Sequence, residues 1–398
     1  MKSIFTPPLF DYKEENIVIK RQVTAIKKID SEAFSFEQIT SFRKSDIIKI
    51  KDLSAIAVTV SDYFKQHTFP FDDGNNKSEF AYQKTNSEYD LLESHTPIAF
   101  GLTIKDVSGS STAAKLNRLK DKGYLLNLFK KSANMFYEVI HFYHDEKAQY
   151  ITDKAVTAHK KKKIFNQHYV DNALRISANG NPYIRVDLDE KNKNNANASY
   201  SQAMQLAEYA AYNKCSWLSV TITCPNVFHI KPQNGKNAWD GQLTPQDNNK
   251  FLNNIIQKLT TRLDAKKIKR FGHYSKEPHK SMALHAHMLI YCDSKHIGTI
   301  KELINYYTNL EFFKFDRDFV ENISVKFSQG YCEDDSKNNI CKGIAKYINK
   351  HVFRCLNSPA YKPTLARTNP EKLTEQQRNN EKVEAHASKF NYRRINFF

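Results

Sequence analysis

EPHKSMALHAHMLIYC, residues 277–292, places one glutamate and three histidines within eleven residues and then runs on into an apolar segment. Residues two apart in a strand share a face, so His285 and His287 point one way while Leu284, Ala286, Met288 and Ile290 point the other. RFGHYSKEPH, just before, has the same extended character, and together they read as a β-hairpin with KSMA at the turn. An H-x-H pair alone carries little weight, because 14 histidines in 398 residues give about half an occurrence by chance. The hairpin changes that. Two imidazoles side by side on a sheet make a poor core and a good chelate, and Glu277 or His279 on the partner strand closes a third ligand position. Two neutral imidazole nitrogens and one carboxylate leave coordination sites open, as a catalytic ion needs. Mg²⁺ or Mn²⁺ is expected, since an oxygen-rich phosphate substrate would complete the shell.

Outward from the hairpin, the patterning predicts an α+β unit on an antiparallel sheet. Residues 199–213 (SYSQAMQLAEYAAYN) read as an amphipathic helix. SWLSVTITC (216–224) then alternates Leu218, Val220 and Ile222 with Ser219, Thr221 and Thr223, a strand with one apolar face and one face of small hydroxyls. In TPQDNNKFLNNIIQKLTTRL, Thr244 is an N-cap, Pro245 stands in the first turn and Asp247 three residues in, which opens a helix. ENISVKFSQG (321–330) reads as a further strand. NICKGIAKYINKHVF (339–353) reads as a helix whose buried stripe is Ile340, Ile344, Ile348 and Val352. Tyr347 falls about 80° from the centre of that stripe, with Lys350 further round on the same side.

The composition bounds the partners. Sixty Lys and Arg against 43 Asp and Glu give a net charge of +17, a surface that attracts polyanions, of which nucleic acid is the commonest. Twenty-one tyrosines and 26 phenylalanines add stacking surfaces. Lys, Asn or Asp interrupts every long apolar-looking stretch, which argues against a membrane span, and the N-terminus shows no apolar signal region. All six cysteines lie between Cys215 and Cys355 without a CxxC pair; with Cys224 and Cys292 in strand contexts, reduced thiols in a cytoplasm are expected rather than a disulfide framework. The spacing of Cys341, His351 and Cys355 matches no standard zinc pattern. No GxxxxGK[ST] motif is present, so a P-loop motor is not expected.

The first half is less informative. Residues 1–110 are Lys/Asn/Asp-rich with turn signals at FPFDDGNNKS (69–78), and residues 112–144 carry helical periodicity broken near Gly123. Lys160 to Lys163 form a run of four lysines, read first as a solvated helix end and second as a phosphate contact. EKNKNNANAS (190–199) reads as a loop, and the domain boundary is placed there: 1–198, a mixed, largely helical region suited to DNA binding or an accessory role, and 199–398, the domain that carries the chemistry.

Four ordered blocks, WLSVTITCPNVFH, EPHKSMALHAHMLIY, AKYINKHV and AHASKFNYRRINFF, resemble those of the bacteriophage replication gene A proteins, HUH endonucleases that initiate rolling-circle DNA replication. The likeness covers roughly residues 199–398 and implies a five-stranded antiparallel sheet flanked by helices. It implies metal ligation by His285, His287 and Glu277, with His279 as the competing third ligand, and Tyr347 as nucleophile with Lys350 one turn later. Thr221 and Thr223, on the neighbouring strand, would leave room for a phosphodiester. The implied reaction is site-specific nicking of single-stranded origin DNA, giving a 5′-phosphotyrosine and a free 3′-hydroxyl, with later strand joining. A host helicase and polymerase are the implied partners, in the cytoplasm of a bacterial host. Relatives typically carry a second tyrosine four residues before the first, where this chain has Gly343, so a single-tyrosine enzyme is the direct reading; water, a second subunit, Tyr331 or Tyr361 could end the round. The alternatives are a relaxase or transposase with the same chemistry, a phosphodiesterase using metal-bound water, or a non-catalytic DNA-binding protein with a structural metal.

Overall fold

The computed structural model describes residues 34–48, 50, 52–67, 97–109, 112–172, 187–232, 237–314, 325–332, 345 and 370–398. The chain divides into two compact units, Met1–Ala133 and Asn134–Phe398. In the first, α1 (Phe36–Thr40) and α2 (Leu53–His67) accompany a ribbon of β1 (Pro97–Ala99) and β2 (Leu102–Thr103), followed by α3 (Thr112–Leu119) and the start of α4 (Lys122–His144). Its core includes Ile56, Val60 and Phe64 of α2, all at most 1 % exposed, and the edge-on pair Phe100 and Phe129, 5.5 Å between centroids. The break expected near Gly123 falls at Lys120 and Asp121. There the Asp121 carboxylate accepts from the backbone N–H groups of Gly123 (2.8 Å) and Tyr124 (3.1 Å), capping α4. The turn signals at 69–78 lie outside the described residues.

In the second unit, α5 (Asp153–Asn172) and α6 (Leu188–Tyr212) precede the sheet. Residues 190–199, expected as a loop, are instead helical and form the early turns of α6. The missed signal is Asp187, whose carboxylate accepts from the Glu190 N–H at 3.1 Å and caps a largely exposed helix that needs no apolar stripe in its first turns. The lysine run lies inside α5 rather than at its end. Lys160 and Lys163 pair with Glu381 (2.8 Å) and Glu384 (2.6 Å) on α9 (Pro370–Phe390).

The sheet is antiparallel, in the order β6-β3-β5-β4-β7, built from β3 (Ser216–Thr223), β4 (Arg270–Pro278), β5 (Leu284–Cys292), β6 (Val325–Tyr331) and β7 (Ile395–Phe397). The expected α+β class and five antiparallel strands are therefore present. The even face is the main core: Leu218, Val220 and Ile222 of β3 and Leu284, Ala286, Met288 and Ile290 of β5 are nearly inaccessible. They pack in one cluster with Phe251, Leu252, Ile255 and Leu259 of α7 (Pro245–Ala265) and Ile300, Ile304 and Phe312 of α8 (Ile297–Phe312). α7 starts as its sequence dictates, with Thr244 and Asp247 forming a reciprocal capping box and Pro245 in the first turn. Gly272 is required by close approach, because a Cβ there would sit 2.0 Å from the Leu289 carbonyl oxygen. It lets β4 bond β7 through paired Gly272–Phe398 hydrogen bonds of 3.0 and 3.1 Å while lying against β5.

Candidate metal centre

The odd face of the sheet changes character along its length. At one end, Trp217, Leu289 and Tyr291 form a small apolar cluster with Ala207, Ala210 and Ala211 of α6, whose short side chains let the helix approach closely. At the other end the same face bears Thr221 and Thr223 of β3, His285 and His287 of β5, and Ser275 and Glu277 of β4. Ala345, helical and buried, belongs to the apolar cluster and so lies on this face too.

Register brings the three candidate ligands together: Glu277 stands directly across from His285, and Ser275 across from His287. One Glu277 carboxylate oxygen lies 3.7 Å from Nε2 of His285 and 3.8 Å from Nε2 of His287, and one ligand atom from each residue falls within 4.8 Å of the other two. The two imidazoles meet edge to face at 4.6 Å. Thr221 Oγ1 is 3.0 Å from Nδ1 of His287, and with that nitrogen engaged, Nε2 is the one left toward Glu277. Two imidazole nitrogens and a carboxylate in half-buried surroundings fit a divalent cation that keeps open positions. Among the described residues this is the one group of three or more His, Cys, Asp or Glu close enough to hold an ion.

Of the two expected third ligands, Glu277 completes the group. His279 lies just beyond β4 in a row of rings, 5.4 Å from His285 and 5.7 Å from His229. Burial holds the imidazoles of both His229 and His279 below the usual histidine range.

The turn joining the ligand strands is fastened at several points. His279 N–H donates to Ala283 O (2.5 Å) and Met282 N–H to His279 O (2.9 Å), with Met282 held at φ +75°. Tyr150 N–H donates to Lys280 O at 3.1 Å. His229 Nδ1 lies 2.8 Å from Ser281 Oγ. His386, fully buried on α9, reaches Met282 O with Nε2 and the Tyr392 hydroxyl with Nδ1, both at 3.1 Å. A carbonyl only accepts, so Nε2 carries the proton and Nδ1 accepts from Tyr392. Burial pushes the His386 imidazole down to about 3, keeping it neutral. Sequence reading missed His229, His386 and Tyr150 as supports of the turn. Tyr150, at φ +67°, has its phenol raised above the ordinary tyrosine range by burial and then by the charge of nearby Glu277. The first two stand inside the quoted blocks, but no spacing rule ties them to a turn so distant in sequence.

The sequence matches the model of the bacteriophage replication gene A protein family over residues 52–353. The chain belongs to that family. Among curated relatives, a replication protein of Haemophilus phage HP1 is 27% identical over 216 residues, 52% of this chain and 26% of its own length. The probable replication protein P12 of Pseudoalteromonas phage PM2 is 26% identical over 214 residues, 52% of this chain and 32% of its own. The replication gene A protein of Escherichia phage 186 is 23% identical over 214 residues, 51% and 30% respectively. The matches thus span roughly a quarter to a third of these relatives' own length. No solved structure matches the chain. The family match reaches further toward the N-terminus than the four blocks suggested, and stops short of AHASKFNYRRINFF.

Within this replication gene A family member, Tyr347, Lys350, Gly343 and Tyr361 lie outside the described residues, as do Cys341, His351 and Cys355. Tyr331, offered above as a second nucleophile, pairs with Ser216, whereas His285 pairs with Thr223. Five strand residues therefore separate it from His287 and seven from His285, about 17 and 23 Å at the usual rise, which argues against it as a partner on the same phosphate. Cys224 and Cys292 are buried free thiols. Among the described residues no helix is long and apolar enough to cross a membrane.

Proposed function

We propose that this protein initiates rolling-circle DNA replication by nicking single-stranded DNA at an origin, with Tyr347 as nucleophile beside a Mg²⁺ or Mn²⁺ centre on Glu277, His285 and His287, in an HUH-type domain. The observation that carries the reading is a shared face: Ala345, two residues before Tyr347 in sequence, is buried with Trp217, Leu289 and Tyr291 on the sheet face that bears the three ligands. The chemistry a divalent ion supplies when bound there is Lewis-acid stabilisation of charge on the scissile phosphate. The Tyr347 oxygen attacks phosphorus, the bond from phosphorus to the 3′-oxygen breaks, and that oxygen leaves as a hydroxyl once protonated. The phenol gives up its proton, and Lys350 offers positive charge to the phosphate at that stage. The products are a 5′-phosphotyrosine and a 3′-hydroxyl that primes a host polymerase, with a host helicase opening the duplex in the bacterial cytoplasm. Energy kept in the phosphotyrosine allows strand joining later. Small residues, Thr221 and Thr223, stand in register opposite the two histidines, which suits a phosphodiester there, and the +17 charge supports a polyanionic substrate.

The test incubates the protein with Mn²⁺ and single-stranded DNA of its own replicon, then maps the covalent adduct by mass spectrometry. The expected result is an adduct on Tyr347 that Tyr347→Phe abolishes while Mn²⁺ binding persists. Cutting that continues in Tyr347→Phe, or an adduct on another residue, overturns the reading.

A further inference from the structure

A second feature of the Asn134–Phe398 unit lies beside the ligand strands. Between α5, α9 and the segment leading into β7 runs an open groove of about 490 Å³, lined among others by His159, Lys162, Glu384, Tyr392, Arg393 and Arg394. Its one carboxylate is already matched: Lys163 sits 2.6 Å from Glu384 and His159 3.6 Å from it, and Glu384 is pulled down to about 2 against the cost of its burial. Lys162 and Arg393 are then the charges the groove presents, while Arg394 acts on Glu384. Nδ1 of His159, shielded from solvent, makes no hydrogen bond among the described residues.

The groove opens onto an aromatic stripe. Lys162, Phe165 and Tyr169 fall within about 60° of one another around α5, while Lys160 and Lys163 turn toward α9. Phe165 is 67% and Tyr169 68% exposed, one helical turn apart, about 6 Å along the axis. Rings this open on a helix with little apolar character elsewhere are not core. The groove also adjoins the ligand strand, because the Arg394 carbonyl accepts from the Lys276 N–H at 2.8 Å, one residue from Glu277.

We infer that the groove and the α5 stripe form a binding track for single-stranded DNA, with Lys162 and Arg393 on the phosphates and Phe165 and Tyr169 under unstacked bases. Cationic side chains next to exposed ring faces are the two components that hold a single strand without regard to sequence, and duplex DNA, its bases already stacked, can use only the first. The inference rests on the reading of the chain as an enzyme that acts on single-stranded DNA.

The experiment measures anisotropy of a short labelled oligothymidylate with the full chain in EDTA across a salt series. Lys162→Ala with Arg393→Ala should flatten the slope of log affinity against log salt by about 1.4, two contacts at about 0.7 each. Phe165→Ala with Tyr169→Ala should weaken binding at every salt, roughly tenfold per ring, and leave the slope unchanged. All four side chains are exposed, so both variants should melt like the parent. Unchanged slope and affinity in the two variants, or duplex DNA competing as well as the single strand, would overturn the track. Because neither metal nor Tyr347 takes part, failure of the nicking reading shows separately, as a missing adduct with binding intact.

Discussion

At the scale of single residues, the centre depends on which nitrogen of each imidazole is left available. Thr221 Oγ1, 3.0 Å from Nδ1 of His287, fixes that choice from a neighbouring strand. Thr221→Val keeps the shape and the strand preference but deletes the hydroxyl. Mn²⁺ affinity, read by calorimetry, should drop about 10- to 100-fold with an unchanged far-ultraviolet spectrum; equal affinity would make the contact incidental. Strand alternation has only two faces, so the pairing of His285 with His287 was legible; the hairpin left Glu277 and His279 as alternatives for the third position, and it is the register that brings Glu277 to them. His229 and His386 were not legible, because each acts through a contact with the turn that local pattern does not encode.

At the scale of elements, the hairpin, β3, α6's second half and α7 lie where the alternation and capping signals put them. Those signals are short-range, and the structure left them unopposed. Residues 190–199 went the other way, since an exposed helix held by one aspartate cap looks in composition like a loop. Gly272 shows what the pattern alone conceals. Gly272→Ala brings a methyl against the Leu289 carbonyl, where backbone on both sides leaves no room, and should cost on the order of 3 kcal/mol or more in urea denaturation. Gly298→Ala is the matching control: near the start of α8, with nothing within 4 Å of the added carbon, it should be neutral or stabilise by up to about 1 kcal/mol. Similar midpoints for the two variants would refute the close-approach argument.

For the whole molecule, buried neutral histidines set the response to acid. Burial lowers His273 to about 4 and His386 to about 3, against 6.5 in an unfolded chain. Folded pKa values below the unfolded ones mean that the unfolded state binds more protons. Stability is thus fully present above about pH 6.5 and is lost as pH falls toward 4 and 3, by up to about 1.4 kcal/mol per pH unit for each group. His141, His229 and His279, also lowered by burial, add the same sign, while Glu138, raised by burial, opposes it. Denaturation midpoints should therefore drop between pH 7 and pH 5, and His386→Gln should show a smaller drop; a flat profile would mean that the unfolded chain does not recharge these rings. His386 has a further consequence through its place in the chain. It pins the turn between the ligand strands from a position about a hundred residues downstream, and the edge strand against β4 comes later still. On a translating ribosome, then, the histidines and their upstream supports Tyr150 and His229 emerge long before His386. A nascent chain therefore carries the two histidines before His386 exists to hold the Met282 carbonyl.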